Sequence, residues 1–283
     1  MRLSLLALTG IILFTMAAPL IAPFDPMSTT AGTAMQAPNG RNWLGTDLLG
    51  RDVFSRVLFG GQRTLWVAAL ATGIAVVPGL IIGLVAGSLG AIIDRIIMIV
   101  INSLLAIPPF VSALVILTLL GQGTGQLALA TGGAQIAVFA QVTRSATVSV
   151  RSEEYIEAAR ALGGSRLHSI RFHILPNIRP TIYGYAGVVF AYSILNSAAL
   201  SFLGLGGDPG VPDWGAILAD GRMAFQIAPW VAIAPGLLIM VTVMAVNTLA
   251  DQLASRQDRA AAQNMVWGIL RQIIGKIDHG RDS

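Results

Sequence analysis

The chain has 283 residues, of which 54% are hydrophobic and 11% are charged, and its mean hydropathy is +0.72. Soluble domains carry about 25% charged residues and disordered chains carry few apolar ones, so this composition excludes both and predicts a membrane protein. Cysteine is absent, which excludes disulfides and cysteine-ligated zinc. The formal net charge is +4, and in a membrane protein an excess of basic residues is first a signal of topology.

Six apolar stretches are long enough to be transmembrane helices, because about 20 apolar residues cross the roughly 30 Å hydrocarbon core of a bilayer. These stretches are continuous, whereas the strands of a membrane barrel alternate apolar and polar residues. The sequence therefore predicts an all-α membrane protein with six transmembrane helices. In chain order, the predicted spans are residues 3–22, 65–89, 96–120, 127–143, 181–205 and 228–249.

The first of these spans has an alternative interpretation as a secretory signal peptide. A short basic start, an apolar stretch and small residues near Ala17 and Ala18 fit both interpretations. The stretch is long for a signal peptide, and Pro19 and Pro23 lie where cleavage would occur. These features favour a retained helix, but cleavage stays open at this stage.

The distribution of basic residues predicts how the spans are oriented. Thirteen of the 18 Lys and Arg residues lie in segments 1–2, 90–95, 144–180 and 250–283, and the other five lie in segments 23–64 and 206–227. Cytoplasmic loops carry the excess of basic residues. We therefore expect a multi-pass protein of the inner (plasma) membrane with both termini and the 144–180 loop in the cytoplasm.

The sequence offers no recognisable enzyme chemistry. A Walker A loop requires Gly-Lys-Ser/Thr, and the only lysine, Lys276, precedes Ile277. The three histidines form no HExxH pair, and the chain has no GxSxG elbow. We expect no catalytic residues, no metal site and no cofactor bound by this chain.

The loop of residues 152–176 is long and polar enough to be structured. Ser152 is a plausible N-cap for a helix that Gly163 and Gly164 would end, and Ser165 can cap a second short helix that Pro176 would end. Two short helices of this kind predict a compact protrusion. The alternative is a solvated surface loop.

The same loop carries a familiar pattern. Its residues resemble the EAA signature of the permeases of ABC importers, in which this segment is the coupling helix that docks on the nucleotide-binding subunits. His173 stands where most such permeases have an aliphatic residue, a variant associated with the peptide-permease branch. The resemblance assigns ATPase coupling to Glu157, Ala158, Ala159, Gly163, His173, Leu175 and Pro176.

Two more segments agree with this resemblance. Residues 44–52 read LGTDLLGRD, and residues 199–206 read ALSFLGLG and are followed by Trp214-Gly215 and by ADGR at 219–222. Both are similar to segments of the second-subunit permeases of dipeptide, oligopeptide and nickel importers. The resemblance covers roughly residues 42–254 and implies the type I permease fold of ABC importers, with a cytoplasmic coupling helix.

That family implies a heteromeric importer. Its parts would be this chain, a second, non-identical permease, two ATPase subunits that bind ATP and Mg²⁺, and an extracytoplasmic substrate-binding protein. Peptides are the expected substrates, with nickel or another small solute as the alternative. A stand-alone secondary transporter is disfavoured, because such carriers keep ionisable groups in mid-span and this sequence has no strongly charged residue there.

This interpretation divides the chain into four parts. Residues 1–22 would form the first transmembrane helix, and residues 23–64 an outer loop with an amphipathic segment. Residues 65–254 would form the permease core. Residues 255–283 predict a basic amphipathic tail that suits the inner membrane surface, or alternatively a helix packed on a partner subunit.

Several residues within the predicted spans have two possible roles. Prolines at positions 78, 108, 109 and 235 are hinges or static kinks. Small residues repeat every four positions at Ala75, Gly79, Gly83 and Gly87, a pattern that permits close helix packing within the subunit or against a partner. Polar side chains can line the pathway or hydrogen-bond between helices, and they are Asn102, Gln135, Gln141, Asn196 and Asn247.

The charged outer segments are candidates for docking the binding protein. If residues 47–56 were helical, their spacing of four would pair Asp47 with Arg51 and Asp52 with Arg56. The alternative is an interfacial helix whose charges pair with one another. The docking candidates are Asp47, Arg51, Asp52, Asp213, Trp214, Asp220 and Arg222.

Overall fold

The computed structural model describes residues 2–156, 165–206, 208 and 210–253. Within these ranges every regular element is a helix, and one isolated antiparallel bridge joins Thr46 to Asp52. The predicted all-α class is therefore confirmed for this part of the chain. The helices are α1 (Arg2–Met16), α2 (Ala18–Ile21), α3 (Val53–Ser88), α4 (Ala91–Leu105), α5 (Pro109–Leu120), α6 (Thr124–Gly133), α7 (Ile136–Arg151), α8 (Arg166–Phe202), α9 (Trp214–Ala224) and α10 (Trp230–Leu253).

Helices occupy all six of the predicted apolar stretches, but fewer of them are long enough to span alone. Among the described residues, α3, α8 and α10 are long and apolar enough to cross a membrane, and the bent pair of α4 and α5 makes a fourth if it counts as one span. The apolar helix α1 is shorter, and the fourth predicted stretch is divided between α6 and α7. The count of six crossings stays a prediction.

The predicted span 96–120 is not one straight helix. Helices α4 and α5 meet at an angle of 83°, and the break lies at the Pro108-Pro109 pair. Pro108 has an extended backbone (φ −52°, ψ 133°), which ends the helical path. A proline also disfavours the helical conformation of the residue before it, so two in succession interrupt the hydrogen-bond ladder.

Helix α3 begins twelve residues before the predicted start of its span. The carboxylate of Asp52 accepts a hydrogen bond of 2.8 Å from the backbone N–H of Ser55, which caps the helix at Val53. Its 36 residues rise about 54 Å, more than a bilayer core. Pro78 lies inside α3, which continues through it.

The predicted short helix ending at Pro176 is wrong in its end point. The Ser165 hydroxyl accepts from the backbone N–H of His168, as expected of a cap, but α8 continues through Pro176 to Phe202. The turn Ile170–Ile174 is a wider π-helical turn, in which the Leu175 N–H donates to the carbonyl of Ile170. This turn gives the Pro176 ring room that a regular α turn would deny it.

Ser152 also differs from its predicted role. It ends α7 rather than beginning the next helix, and its hydroxyl donates to the carbonyl of Ser149 at 2.7 Å. Ile156, four residues later, is buried together with Ile174 and Phe139. The chain on either side of residues 157–164 therefore packs against the bundle.

The small residues of α3 form a close contact with α7. A Cβ atom added to Gly83 would lie 2.5 Å from Cβ of Thr143, and one added to Gly87 would lie 2.6 Å from Cγ2 of Thr147. Both threonines belong to α7. The stripe thus packs inside the subunit, which is one of the two roles predicted for it.

Replacing Gly83 with alanine tests this contact. The new methyl group would meet Thr143 and the carbonyl of Ala140, so the two helices must separate, at a cost of about 1–3 kcal/mol. We expect a lower melting temperature in detergent. Gly73→Ala is the matched control on the same helix, because a Cβ there has no neighbour within 4 Å. Equal melting temperatures for the two variants would contradict the contact.

Candidate functional site

The predicted coupling residues fall into two groups. Glu157, Ala158, Ala159 and Gly163 lie outside the described residues. His173, Leu175 and Pro176 lie in the first turns of α8 and are partly exposed. We call the part of the molecule that contains residues 87–94, 144–156 and 165–177 the loop end, and the part that contains residues 42–63 and 208–230 the far end.

A polar network joins the two chain segments that flank the predicted coupling loop. The Asn177 side-chain amide donates to the Tyr155 hydroxyl at 3.2 Å and to the carbonyl of His173 at 2.6 Å. The Tyr155 and His173 rings lie 6.3 Å apart, edge to face. Burial raises the pKa of Tyr155, with a smaller contribution from the negative charge of Glu153. Residues 155 and 173–177 are therefore held together.

Three arginines at the loop end bind the end of α3, the start of α4 and the turn between them. Arg144 of α7 makes two hydrogen bonds to the carboxylate of Asp94 in α4, of 2.9 and 2.5 Å. Arg151, the last residue of α7, donates to the carbonyl of Gly87 at 3.0 Å. Arg166, the first residue of α8, lies 3.5 Å from the carbonyl of Leu89.

The far end holds a cluster of two carboxylates and two guanidinium groups. Asp47 is fully buried and accepts from Arg51 Nε at 2.6 Å and from Arg56 Nη1. Asp220 of α9 accepts from the same two arginines, at 3.0 and 2.9 Å. The cluster is neutral overall, and it fastens both the 46–52 segment and α3 to α9.

The predicted pairing of this segment is half right. The Asp47–Arg51 pair is present, but Asp52 does not pair with Arg56 and instead accepts from Ser55 and from the Asn42 side chain at 2.9 Å. Residues 46–52 are a turn rather than a helix, because Gly45 and Gly50 adopt positive φ angles of 69° and 75°. The helical spacing that would have paired Asp52 with Arg56 is therefore absent.

A second contact at the far end fixes the loop before α9. Arg63 donates to the carbonyl of Val211 at 2.9 Å and pairs with Asp208 at 3.2 Å. Thr124 donates to the same carboxylate at 2.8 Å. That hydrogen bond, with a smaller effect of Arg63, holds the pKa of Asp208 below its usual value.

Helix α9 is anchored at its first residues. The Asp213 carboxylate accepts from the Ala216 N–H at 2.9 Å, and burial raises the pKa of that carboxyl group. Trp214 is fully buried, and its ring N–H donates to the carbonyl of Val57 at 2.9 Å. A Cβ on Gly215 would lie 2.6 Å from Cα of Ala198, so α9 sits close against α8.

Burial changes the role of most docking candidates. Asp47, Asp52 and Trp214 have no exposed surface, and Arg51 and Asp213 are below one-tenth exposed. These side chains hold the far end together and expose little or no surface. Arg222 is exposed and stacks over the Phe202 ring at 5.4 Å, and the Asp220 side chain is 37% exposed.

The predicted pathway residues differ in burial. Gln135 and Asn196 are buried, whereas Asn102, Gln141 and Asn247 are exposed on α4, α7 and α10. All five lie among the described residues, and none hydrogen-bonds to another of them. The three exposed amides are available to a pathway or a partner outside this chain.

Sequence reasoning missed the pairs that join distant segments. Asp94 and Arg144 are 50 positions apart, and Arg63 and Asp208 are 145 apart, so no local spacing reveals them. The available signal was weak: each charged residue borders an apolar stretch or a glycine-rich loop. Across the described ranges, no three His, Asp or Glu side chains converge as a metal ion would require.

Comparisons with known proteins place these features in a family. Residues 79–261 match the model of the binding-protein-dependent transport system inner membrane component. The dipeptide transport system permease protein DppC of Alkalihalophilus pseudofirmus is 36% identical over 254 residues, covering 90% of this chain and 84% of that protein. The glutathione transport system permease protein GsiD of Pectobacterium atrosepticum is 37% identical, covering 79% of this chain and 74% of that protein.

A solved structure shares the fold. The crystal structure of an amino acid ABC transporter with histidines superposes with a TM-score of 0.53 and 22% identity. The match covers 71% of this chain and 94% of the matched chain. At this identity the likeness supports the permease fold alone.

The buried charge cluster can be tested with Asp47→Asn. The change leaves Arg51 and Arg56 short of a carboxylate in a buried site, and breaking a buried pair costs about 3–5 kcal/mol. We expect a lower free energy of unfolding in a denaturant titration in mixed micelles. Asp25→Asn is the control, because that carboxylate is exposed, pairs with no basic side chain among the described residues, and its loss should change stability little. A change at Asp47 no larger than that at Asp25 would show that the cluster contributes little.

Proposed function

The chain belongs to the family of binding-protein-dependent transport system inner membrane components, and we propose that it is one of two permease subunits of an ATP-driven peptide importer. The proposed substrate class rests on one observation, which is that the relatives of this chain are described as permeases for similar substrates. Proteins at 32–40% identity are described as permeases for dipeptides, di- and tripeptides, glutathione or peptides.

The proposed topology keeps the six crossings and the four parts of the chain. Residues 1–22 form the first crossing, residues 65–254 the permease core, and residues 255–283 a tail that lies outside the described residues. Within the proposed outer part, 23–64, the first turns of α3 occupy residues 53–64. Both termini and the loop end face the cytoplasm, where the basic residues are concentrated.

The proposed division of labour gives this chain no ATPase site. The sequence has no Gly-Lys-Ser/Thr, so ATP and Mg²⁺ bind to the partner ATPases. The residues Glu157, Ala158, Ala159 and Gly163 dock on those ATPases. His173, Leu175 and Pro176, in the first turns of α8, support the docked segment. A second, non-identical permease completes the pathway, which the exposed Asn102, Gln141 and Asn247 would face.

The far end is the proposed contact for a substrate-binding protein. Its buried charges fix the shape of the surface, and the exposed Arg222 and half-exposed Asp220 can contact the partner. The prolines at the α4–α5 bend are the proposed hinge for opening the pathway, since a bend there already interrupts the ladder.

Reconstitution tests the function. Vesicles holding this chain, its partner permease and two ATPases, with the binding protein outside and ATP inside, should accumulate labelled dialanine or glutathione. Omission of ATP or of the binding protein should abolish uptake. Accumulation of ⁶³Ni²⁺ but of neither peptide would replace the peptide proposal with the nickel alternative. Uptake by this chain alone would overturn the importer proposal.

A charged side chain in the coupling segment should uncouple transport. Ala159→Arg places a large charge where the resemblance expects a small docking residue, so we expect normal membrane insertion with transport reduced at least about tenfold. Uptake per inserted complex is the measurement. Ala159→Ser, which keeps a small, uncharged side chain at the same position, is the control. Wild-type uptake by the Ala159 variant would count against the coupling role.

A further inference from the structure

We propose that Arg151 and Arg166 fasten the two ends of the coupling loop to the carboxyl end of α3, so that α3 moves with the loop. The proposal rests on the proposed function, because it names the helix that receives the movement of the ATPases. It makes the two arginines positioning residues: they touch neither ATP nor substrate.

The two arginines flank the loop symmetrically. Arg151 is the last residue of α7, Arg166 is the first of α8, and residues 152–165 lie between them. Their guanidinium groups reach the same turn, at the carbonyls of Gly87 (3.0 Å) and Leu89 (3.5 Å). Any displacement of the loop therefore displaces both donors that hold this turn.

The carbonyl groups at the end of α3 are good hydrogen-bond acceptors for the guanidinium groups of the two arginines. The last carbonyls of a helix lack partners within it and carry a partial negative charge, and an arginine remains protonated at any physiological pH. Helix α3 ends here because Gly90 adopts a φ of 113°, which turns the chain into α4. The turn is thus a fixed, electronegative point of attachment.

Two further contacts prevent this turn from slipping. The Arg144–Asp94 pair ties the first turn of α4 to α7 with two hydrogen bonds. The backbone of Gly87 lies directly against Thr147, close enough that a Cβ would be 2.6 Å from the threonine methyl group. The carboxyl end of α3, α7 and the start of α8 therefore form one packed unit.

The amino-terminal end of α3 is bound to the far end. Arg56 and Arg63, in the first three turns of the helix, bind Asp220 of α9 and Asp208 of the preceding loop. Helix α3 continues through Pro78 over 36 residues, about 54 Å, and so connects the loop end to the far end directly. Movement at the loop end would accordingly reach the surface at the far end.

The test uses the complete complex in vesicles. Arg151→Gln/Arg166→Gln removes both contacts to the turn. Arg95→Gln removes an exposed arginine next to Asp94 whose side chain makes no hydrogen bond or ion pair with another described residue. We measure peptide transported per ATP hydrolysed, and co-purification of the ATPases with this chain. The double variant should keep its ATPases while transport per ATP falls about tenfold, and the Arg95 variant should match the wild type.

A labelling measurement separates positioning from mere stability. The chain has no cysteine, so Ile92→Cys places its only thiol on the first turn of α4, where Ile92 is 78% exposed. In the otherwise wild-type complex, ATP with loaded binding protein should change the maleimide labelling rate of this chain by about threefold. In the double variant that response should disappear.

The outcomes are distinct. A wild-type transport ratio and a wild-type labelling response in the double variant would overturn this proposal and leave the proposed function intact. Failure of the wild-type chain to co-purify with ATPases would overturn the proposed function itself. Should the double variant not assemble, Arg166→Gln alone decides: this side chain is exposed, and an unchanged ratio there overturns the proposal.

Discussion

The close approach of α3 and α7 is the constraint on which the rest of the structure depends. Between helices in lipid, no water is released when apolar side chains meet, so association relies on close packing and interhelical polar contacts. Gly79, Gly83 and Gly87 provide that packing, because each lies where a Cβ would clash with α7. Once the two backbones are in contact, Arg144 and Arg151 of α7 reach the turn that ends α3.

The far end is organised by charge rather than by close backbone contact. Two arginines and two aspartates in the cluster neutralise one another, and three of the four side chains are almost fully withdrawn from solvent. Burial of paired charges adds little net stability, since desolvation offsets attraction, but a partly satisfied arrangement is strongly disfavoured. Such a cluster therefore selects one position of α9 against α3 and gives the far end a defined surface.

Features that depend only on neighbouring residues in the sequence were predicted correctly. The apolar stretches lie on helices, Ser165 caps α8, and the small-residue stripe of α3 packs internally. Predictions that depended on the surroundings were wrong. Pro176 ends no helix, because a wider turn beside it accommodates its ring, and the span 96–120 is bent at the paired prolines. Asp52 caps α3 and does not pair with Arg56. The partners of Arg56 are Asp47 and Asp220, and Asp220 lies 164 positions away in α9.

The choice of arginine over lysine follows from these contacts. The chain has a single lysine, Lys276, although both residues would give the same topology signal. At Asp94, Arg144 uses two donors of one planar group, and Arg51 and Arg56 each bridge two carboxylates. An ammonium group is a compact point charge and cannot supply such paired, coplanar donors. Three of the five arginines on the predicted outer side, Arg51, Arg56 and Arg63, therefore serve the fold of that end, which explains why they stand against the charge bias that orients the chain.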